Sequence, residues 1–353
     1  MKTVPNNPAS NKLSSGLNER GVLTAISKSG YPLQTIVANS LRPQFRIQEE
    51  WCYIDQGTQE PRTIDILAEK LLFEFTDERQ PRIRPTLDLI IECKQSELPY
   101  VFFLSSSRYF IPHFPLLAGL FKNNIKITTD DDASSWNLLI LRALELHSHP
   151  FLAEESALCT TFSKCVRSGS GIELSGSKPF HELALPLLKA MSHFQMVQSP
   201  PETAYYFDLN LVVGVAILDA PMIGVHVSEE SHALILLPWV RFVRHEPQAI
   251  PGLGHKTRLF AIDIIHKDFI QKYLTTYLLP FARDFSKLAI KHQEVLADGR
   301  AFVTGMGKDS WHDIEKRLEP AKMIARVSRS KIIGRNILRL LTGRKPVDGQ
   351  SQK

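Results

Sequence analysis

The segment Leu87-Asp88-Leu89-Ile90-Ile91-Glu92-Cys93-Lys94-Gln95-Ser96 constrains the fold more than any other part of the chain. Leu89, Ile90 and Ile91 are apolar without alternation. A strand built from them has no face left for water and must lie in a sheet covered on both sides. Helical patterns are present to cover it. Between Leu17 and Leu41 the residues Val22, Leu23, Ile26, Leu33, Ile36, Val37 and Leu41 recur at helical spacing. Gly30-Tyr31-Pro32 divides them into two helices, the second opened by Pro32. Phe45–Gln56 and Thr63–Glu69 read as strands, separated by the turn-forming Gly57-Thr58-Gln59-Glu60-Pro61.

Beyond Ser96, VFFLSS reads as another buried strand, followed by a poorly periodic stretch from Arg108 to about Asp132. Helical spacing returns over Ser134–His149, with Ser134 or Ser135 as its cap, and again in PFHELALPLLKAMSHFQ. Strands dominate YYFDLNLVVGVAILDA, MIGVHV, HALILLPWVRFVRHE and RLFAIDIIH. A long helix is expected from Asp268 to Leu296, kinked at Pro280. The order implies an α/β (α+β) fold, a mixed β-sheet flanked by helices. The expected organisation is a disordered lead-in over 1–15, a core over 16–125, an α/β extension over 126–315 continuous with that core, and a basic amphipathic helix and tail over 316–353.

Composition narrows the function classes. A hydrophobic fraction of 43% and a charged fraction of 22% suit a globular protein. The absence of a long uncharged apolar run argues against a membrane span. The polar first fifteen residues lack the apolar core of a secretory signal. Four cysteines, Cys52, Cys93, Cys159 and Cys165, are too few for a disulfide framework, and a cytoplasmic setting follows as the expectation. The net charge of +5 is unevenly placed: from Pro320 onward nine basic residues face Asp348 alone, leaving the rest of the chain slightly acidic. Met323–Leu341 sets Ile324, Val327, Ile332, Ile333, Ile337, Leu338 and Leu341 among Arg326, Arg329, Lys331, Arg335 and Arg339. Such a helix can lie on a nucleic-acid backbone or on anionic lipid, or pack its apolar side on a protein surface.

The chemistry concentrates in two strands. Asp65 interrupts the apolar Ile64-Asp65-Ile66, where a charge is costly unless it is paired or binds a cation. Glu92 and Lys94 share a face of their strand while Cys93 points away. Neighbouring strands lie about 4.8 Å apart, so Asp65 and Glu92 can meet across them. Two carboxylates with a nearby backbone carbonyl, that of Cys93, suit a hard cation such as Mg²⁺ or Mn²⁺. Such a cation polarises a phosphate and acidifies its water. Lys94 beside it could orient or deprotonate that water and stabilise developing charge. The plainer alternative is a structural salt-bridge cluster of Asp65 and Glu92 with Lys94 or Arg62.

An Asp on one strand and a Glu-x-Lys on the next, here Asp65 and Glu92-Cys93-Lys94, resembles the PD-(D/E)XK nuclease superfamily, the restriction-endonuclease-like proteins. The resemblance covers about residues 17–125. It implies a restriction-endonuclease-like core with a C-terminal α/β extension, Mg²⁺-dependent hydrolysis of DNA, and Asp65, Glu92 and Lys94 as catalytic residues. The family often carries a further Glu on the preceding helix. Gln34 stands where that acid is expected, and Glu19, Glu49 or Glu50 could substitute. Double-strand cleavage would favour a homodimer. The alternative is a non-catalytic module on the same fold that binds nucleic acid or protein.

Other motifs carry less. Asp263 in Ile262-Asp263-Ile264 reads as a strand acid facing solvent, because no Glu-x-Lys strand follows it. His147 and His149 read as complements to a helix C-terminus, Gly252-Leu253-Gly254 as a turn, and Asp130-Asp131-Asp132 as a solvated loop.

Overall fold

The doubly apolar run Leu89-Ile90-Ile91 lies inside a mixed sheet, as its pattern requires. The computed structural model describes residues 1–303 and 318–320, apart from 75–79, 108–109, 130–134, 154–155, 202 and 251–253. In chain order, helices α1 (Glu19–Lys28) and α2 (Tyr31–Leu41) precede strands β1 (Arg46–Ile54), β2 (Pro61–Leu71), β3 (Ile83–Gln95) and β4 (Tyr100–Leu104). Strands β5 (Leu116–Ala118), β6 (Asn124–Thr129) and β7 (Ser135–Leu139) follow, then the single turns α3 (Ile140–Ala143) and α4 (Pro150–Ala153). Next come β8 (Ala157–Ser168), β9 (Gly171–Leu174), helix α5 (Leu185–Val197), and strands β10 (Phe207–Asp219), β11 (Met222–Val227), β12 (His232–Leu236), β13 (Trp239–Ile250) and β14 (Gly254–His266). Helices α6 (Ile270–Lys272), α7 (Leu279–Lys291) and α8 (Gln293–Asp298) lead to β15 (Arg300–Val303) and β16 (Glu319–Pro320).

The chain divides into two units. The first, Met1–Leu120 with His147–Ile290, holds a sheet ordered β1-β2-β3-β10-β14-β13-β8-β4-β11-β12, to which β5 adds on β10 and β9 on β8. The second, Phe121–Leu146 with Lys291–Lys353, holds a sheet ordered β16-β15-β6-β7. Residues 147–290, the greater part of the expected extension, thus share a sheet with the N-terminal strands. β10 runs parallel to β3 from Phe207↔Ile83 to Asp219↔Gln95 and parallel to β14 on its other side.

Helices cover both faces of this centre. Ile90 and Leu67 join the core beneath α5, with Met191, Phe194, Val212 and Ile262. Their strand neighbours Leu89, Ile91, Ile66 and Ala68 point to the opposite face, where α2 packs through Leu33, Val37, Ala38 and Leu41. Gly214 lets α5 approach closely, since a Cβ there would stand 2.5 Å from Met191 Sδ.

The sequence expectations need correction at several places. Residues 135–149 form no continuous helix: Ser135 opens strand β7, paired with β6, and only single turns follow. Trp136 and Leu138 alternate as they would on a strand, and this pairing outweighs local helical spacing. The stretch from Arg108 likewise contains β5 and β6. The helix expected from Asp268 to Leu296 runs without a gap from Ile270 to Lys291, with a π-helical turn over Tyr273–Leu278 just before Pro280, and breaks only at His292, ahead of α8. His149 caps rather than complements a dipole, its Nδ1 accepting from the Phe151 N–H at 3.2 Å. No helix among the described residues is long and apolar enough to cross a membrane. Asp130-Asp131-Asp132, Gly252-Leu253 and the basic tail with Arg326, Arg329, Lys331, Arg335 and Arg339 lie outside the described residues.

Asp263 departs furthest from expectation. It does not face solvent but is fully buried. Arg241 grips it with two bonds, Nε to Oδ1 at 2.7 Å and Nη2 to Oδ2 at 3.0 Å, and the Tyr273 hydroxyl donates to Oδ2 at 2.7 Å. The guanidinium lies over the Phe114 ring at 4.0 Å and donates to the Phe151 carbonyl. Buried charges persist only in such fully bonded arrangements. Asp263→Asn should therefore leave Arg241 buried without a counter-charge and cost about 3–5 kcal/mol. Urea unfolding measures this, and a loss below about 1 kcal/mol would contradict the assignment.

Candidate active site

The β2–β3 ladder runs from Leu71↔Thr86 to Ile66↔Ile91 and stops. β2 continues paired only with β1, to Pro61, and β3 only with β10, to Gln95. The two strands part at Asp65 and Glu92. The cause is a side chain. Leu72 N–H donates to Pro85 O, so the bonding residues of β3 toward β2 are Pro85, Leu87, Leu89 and Ile91, with Cys93 next in the series. The Cys93 N–H would meet the Ile64 carbonyl in a regular ladder. Instead it donates to Asp65 Oδ2 at 2.6 Å. The carboxylate has taken the place of a backbone acceptor, and the Cys93 carbonyl is directed into the same fork.

Four further groups converge there. Glu92 and Lys94 leave β3 on the side of Ile90, and the Lys94 ammonium donates to Glu92 Oε1. From the α2 side the buried Gln34 donates through Nε2 to the Asp65 carbonyl at 3.1 Å and to Glu50 Oε1 at 2.8 Å. Glu50 faces Asp65 across β1 and β2, between the pairs Glu49↔Ile66 and Trp51↔Ile64. Its φ is +52°, a left-handed conformation costing a non-glycine residue about 1–3 kcal/mol. Because β2 and β3 separate here, no backbone ladder stands between the two sets of side chains.

The charges are unbalanced. Among the described residues, Asp65, Glu92 and Glu50 face one cation, Lys94. Burial, and then the neighbouring Asp65 carboxylate, push the Glu92 pKa up to about 7. Burial also raises that of Asp65, against the Cys93 N–H and Lys94, which lower it. Burial alone would pull Lys94 down, but Glu92 outweighs it and the ammonium is held protonated. Glu92 is only 6% exposed, whereas Glu50 is exposed and the Lys94 side chain is 35% exposed, so the fork opens to solvent along those two. Among the described residues, no three His, Cys, Asp or Glu side chains already enclose a metal position. The donor chemistry nevertheless fits one: the oxygens are hard, and the excess negative charge is what a divalent cation neutralises.

Comparison with family models, curated proteins and solved structures returned no match.

The other candidate acids stand elsewhere. Glu19, at the start of α1, accepts from the Met1 amine at 2.7 Å, and Glu49 pairs with Arg42. Sequence reasoning passed over Asp88, an acid four residues before Glu92 on the same face of β3. Thr86 Oγ1 and Asn210 Nδ2 donate to its Oδ2 at 2.7 and 3.0 Å, and burial pushes its pKa to about 7. It borders a cleft of about 510 Å³ with Glu69, Lys70, Arg46 and Asp208. The signal was available, since Asp88 interrupts an apolar strand just as Asp65 does.

A buried acid with a raised pKa favours folding fully below its unfolded value near 4.5 and loses that contribution as pH rises through 7. At pH 8 the ionised Glu92 therefore destabilises the metal-free protein. Glu92→Gln should raise the melting temperature at pH 8 by several degrees and have little effect at pH 5. A lower melting temperature at pH 8 would show that the Lys94 contact outweighs burial.

Proposed function

We propose that the chain is a divalent-metal-dependent nuclease that hydrolyses DNA phosphodiester bonds, the activity implied by its resemblance to the PD-(D/E)XK superfamily. The observation that carries this reading is the convergence of Asp65, Glu92 and Lys94 at the point where β2 and β3 part. Asp65 and Glu92 would hold Mg²⁺ or Mn²⁺, with the Cys93 carbonyl beside them and Glu50 as the additional acid. A bound divalent ion supplies positive charge to the phosphate and acidifies water.

The chain's own residues supply the rest. Lys94, held protonated beside its acids in the metal-free protein, would orient the attacking water and stabilise developing negative charge. Gln34 supports the arrangement from behind by fixing Glu50 and the Asp65 backbone together. The strained backbone at Glu50 is consistent with a position kept for its side chain. In the reaction, water oxygen adds to phosphorus and one P–O ester bond breaks. One proton of the water ends on the leaving oxygen and the other in solution.

A second reading, a module that binds nucleic acid or protein without cleaving it, is favoured by one observation. Lys94 already engages Glu92, and the Cys93 N–H already engages Asp65, so both acids have hydrogen-bond partners without a metal. Activity separates the two. Purified protein should nick plasmid DNA with Mg²⁺ or Mn²⁺ and stop on chelation. Lys94→Ala should cut about 10²–10³-fold more slowly while remaining folded. Cleavage by Lys94→Ala at the parental rate would remove Lys94 from the chemistry. Failure of the parent protein to cut DNA with either ion would leave the binding module.

A further inference from the structure

The two edges of the large sheet are built differently. At one end β1 carries Arg46, Glu49 and Glu50, charges of the kind that discourage another strand from adding. At the other end β12, His232-Ala233-Leu234-Ile235-Leu236, carries no Asp, Glu, Lys or Arg and is exposed along its whole length. Leu234 is 66% exposed, Leu236 79% and the adjacent Val227 58%.

The backbone at this edge is equally open. Ser228 N–H donates to Ser231 O at 3.0 Å, and Leu237 N–H to Met222 O at 2.9 Å, which sets the phase of the β11–β12 hairpin. Ala233 and Ile235 therefore bond inward to β11. His232, Leu234 and Leu236 turn both their N–H and C=O groups outward. Pro238, which has no N–H, closes the series.

We infer that β12 is a self-association edge, pairing antiparallel with β12 of a second copy of this chain about a two-fold axis at Leu234. That register sets Leu234 opposite its own copy and His232 opposite Leu236 on both sides. Every outward group of the three residues then finds a partner, whereas a shift of two residues in either direction leaves one residue of each chain unpaired. Charge does not oppose this partner. With the axis at Leu234, the Glu229-Glu230 turn of one copy lies beside Pro238 and Trp239 of the other, so the two acidic turns stay apart. Val227, Leu234 and Leu236 of both copies merge into one apolar strip along the join. This association does not depend on the nuclease reading.

The test uses residue 234, which meets itself only in this arrangement. In analytical ultracentrifugation the full chain should sediment as a dimer. Leu234→Lys and Leu234→Glu, each alone, should sediment as monomers that remain folded by circular dichroism, because the side chain is exposed in the single chain. An equal mixture of the two should restore a one-to-one dimer. A parent chain that is monomeric at its highest soluble concentration would overturn the proposal, as would a dimer that survives Leu234→Lys. Restoration failing in the mixture would place the contact elsewhere. A monomeric parent that instead binds an extended apolar peptide would assign the edge to a different partner.

Discussion

The bond from the Cys93 N–H to the Asp65 carboxylate organises the candidate site. In its place a regular ladder would put the Ile64 carbonyl and carry β2 alongside β3 to the end of both strands. By substituting for that acceptor, Asp65 ends the ladder without leaving a buried donor unpaired. Three consequences follow. The strands separate, the Cys93 carbonyl loses its lateral partner, and Glu92 and Lys94 stand beside a gap rather than beside a neighbouring strand. β10, paired along the full length of β3, keeps that strand straight while β2 departs.

The site is held against its own electrostatics. Two acids are driven toward protonation by burial, a third sits on strained backbone, and one ammonium is too little charge to balance them. Folded proteins tolerate such local cost when surrounding packing overdetermines the geometry. Here the packing comes from α2, which delivers Gln34, and from the apolar core beneath α5. The pair Arg241–Asp263 shows the opposite solution in the same sheet. There an acid in an identical Ile-Asp-Ile string receives a bidentate guanidinium, a tyrosine hydroxyl and surrounding aromatic rings. That acid is closed to any ligand, while Asp65 is bordered by exposed Glu50 and partly exposed Lys94.

Much of this was legible from residue patterns, and the failures have physical causes. The unbroken apolar run in β3 announced a covered central strand, and Gly30-Tyr31-Pro32 marked the boundary between α1 and α2. The meeting of Asp65 with the Glu92-Cys93-Lys94 strand also followed from alternation and strand spacing. The fork did not, because nothing local says that a carboxylate will replace a carbonyl in a ladder. Asp263 was misread because its partner, Arg241, lies 22 residues away on a strand whose register only the fold supplies. Residues 135–149 misled through local helical spacing, although β6 offered Ser135–Leu139 a strand partner. Gln34 was legible as a position but not as a role, since its contacts to Glu50 and Asp65 span 16 and 31 residues.

A fork that holds a divalent cation between acids distant in sequence must bind one in solution. Isothermal titration of Mn²⁺ into the nucleic-acid-free protein tests it most directly, with Asp65→Asn as the comparison. One saturable Mn²⁺ site per chain, lost in Asp65→Asn while the variant remains folded, is the predicted result. Saturable binding that persists unchanged in Asp65→Asn, or no binding by the parent protein, would contradict it.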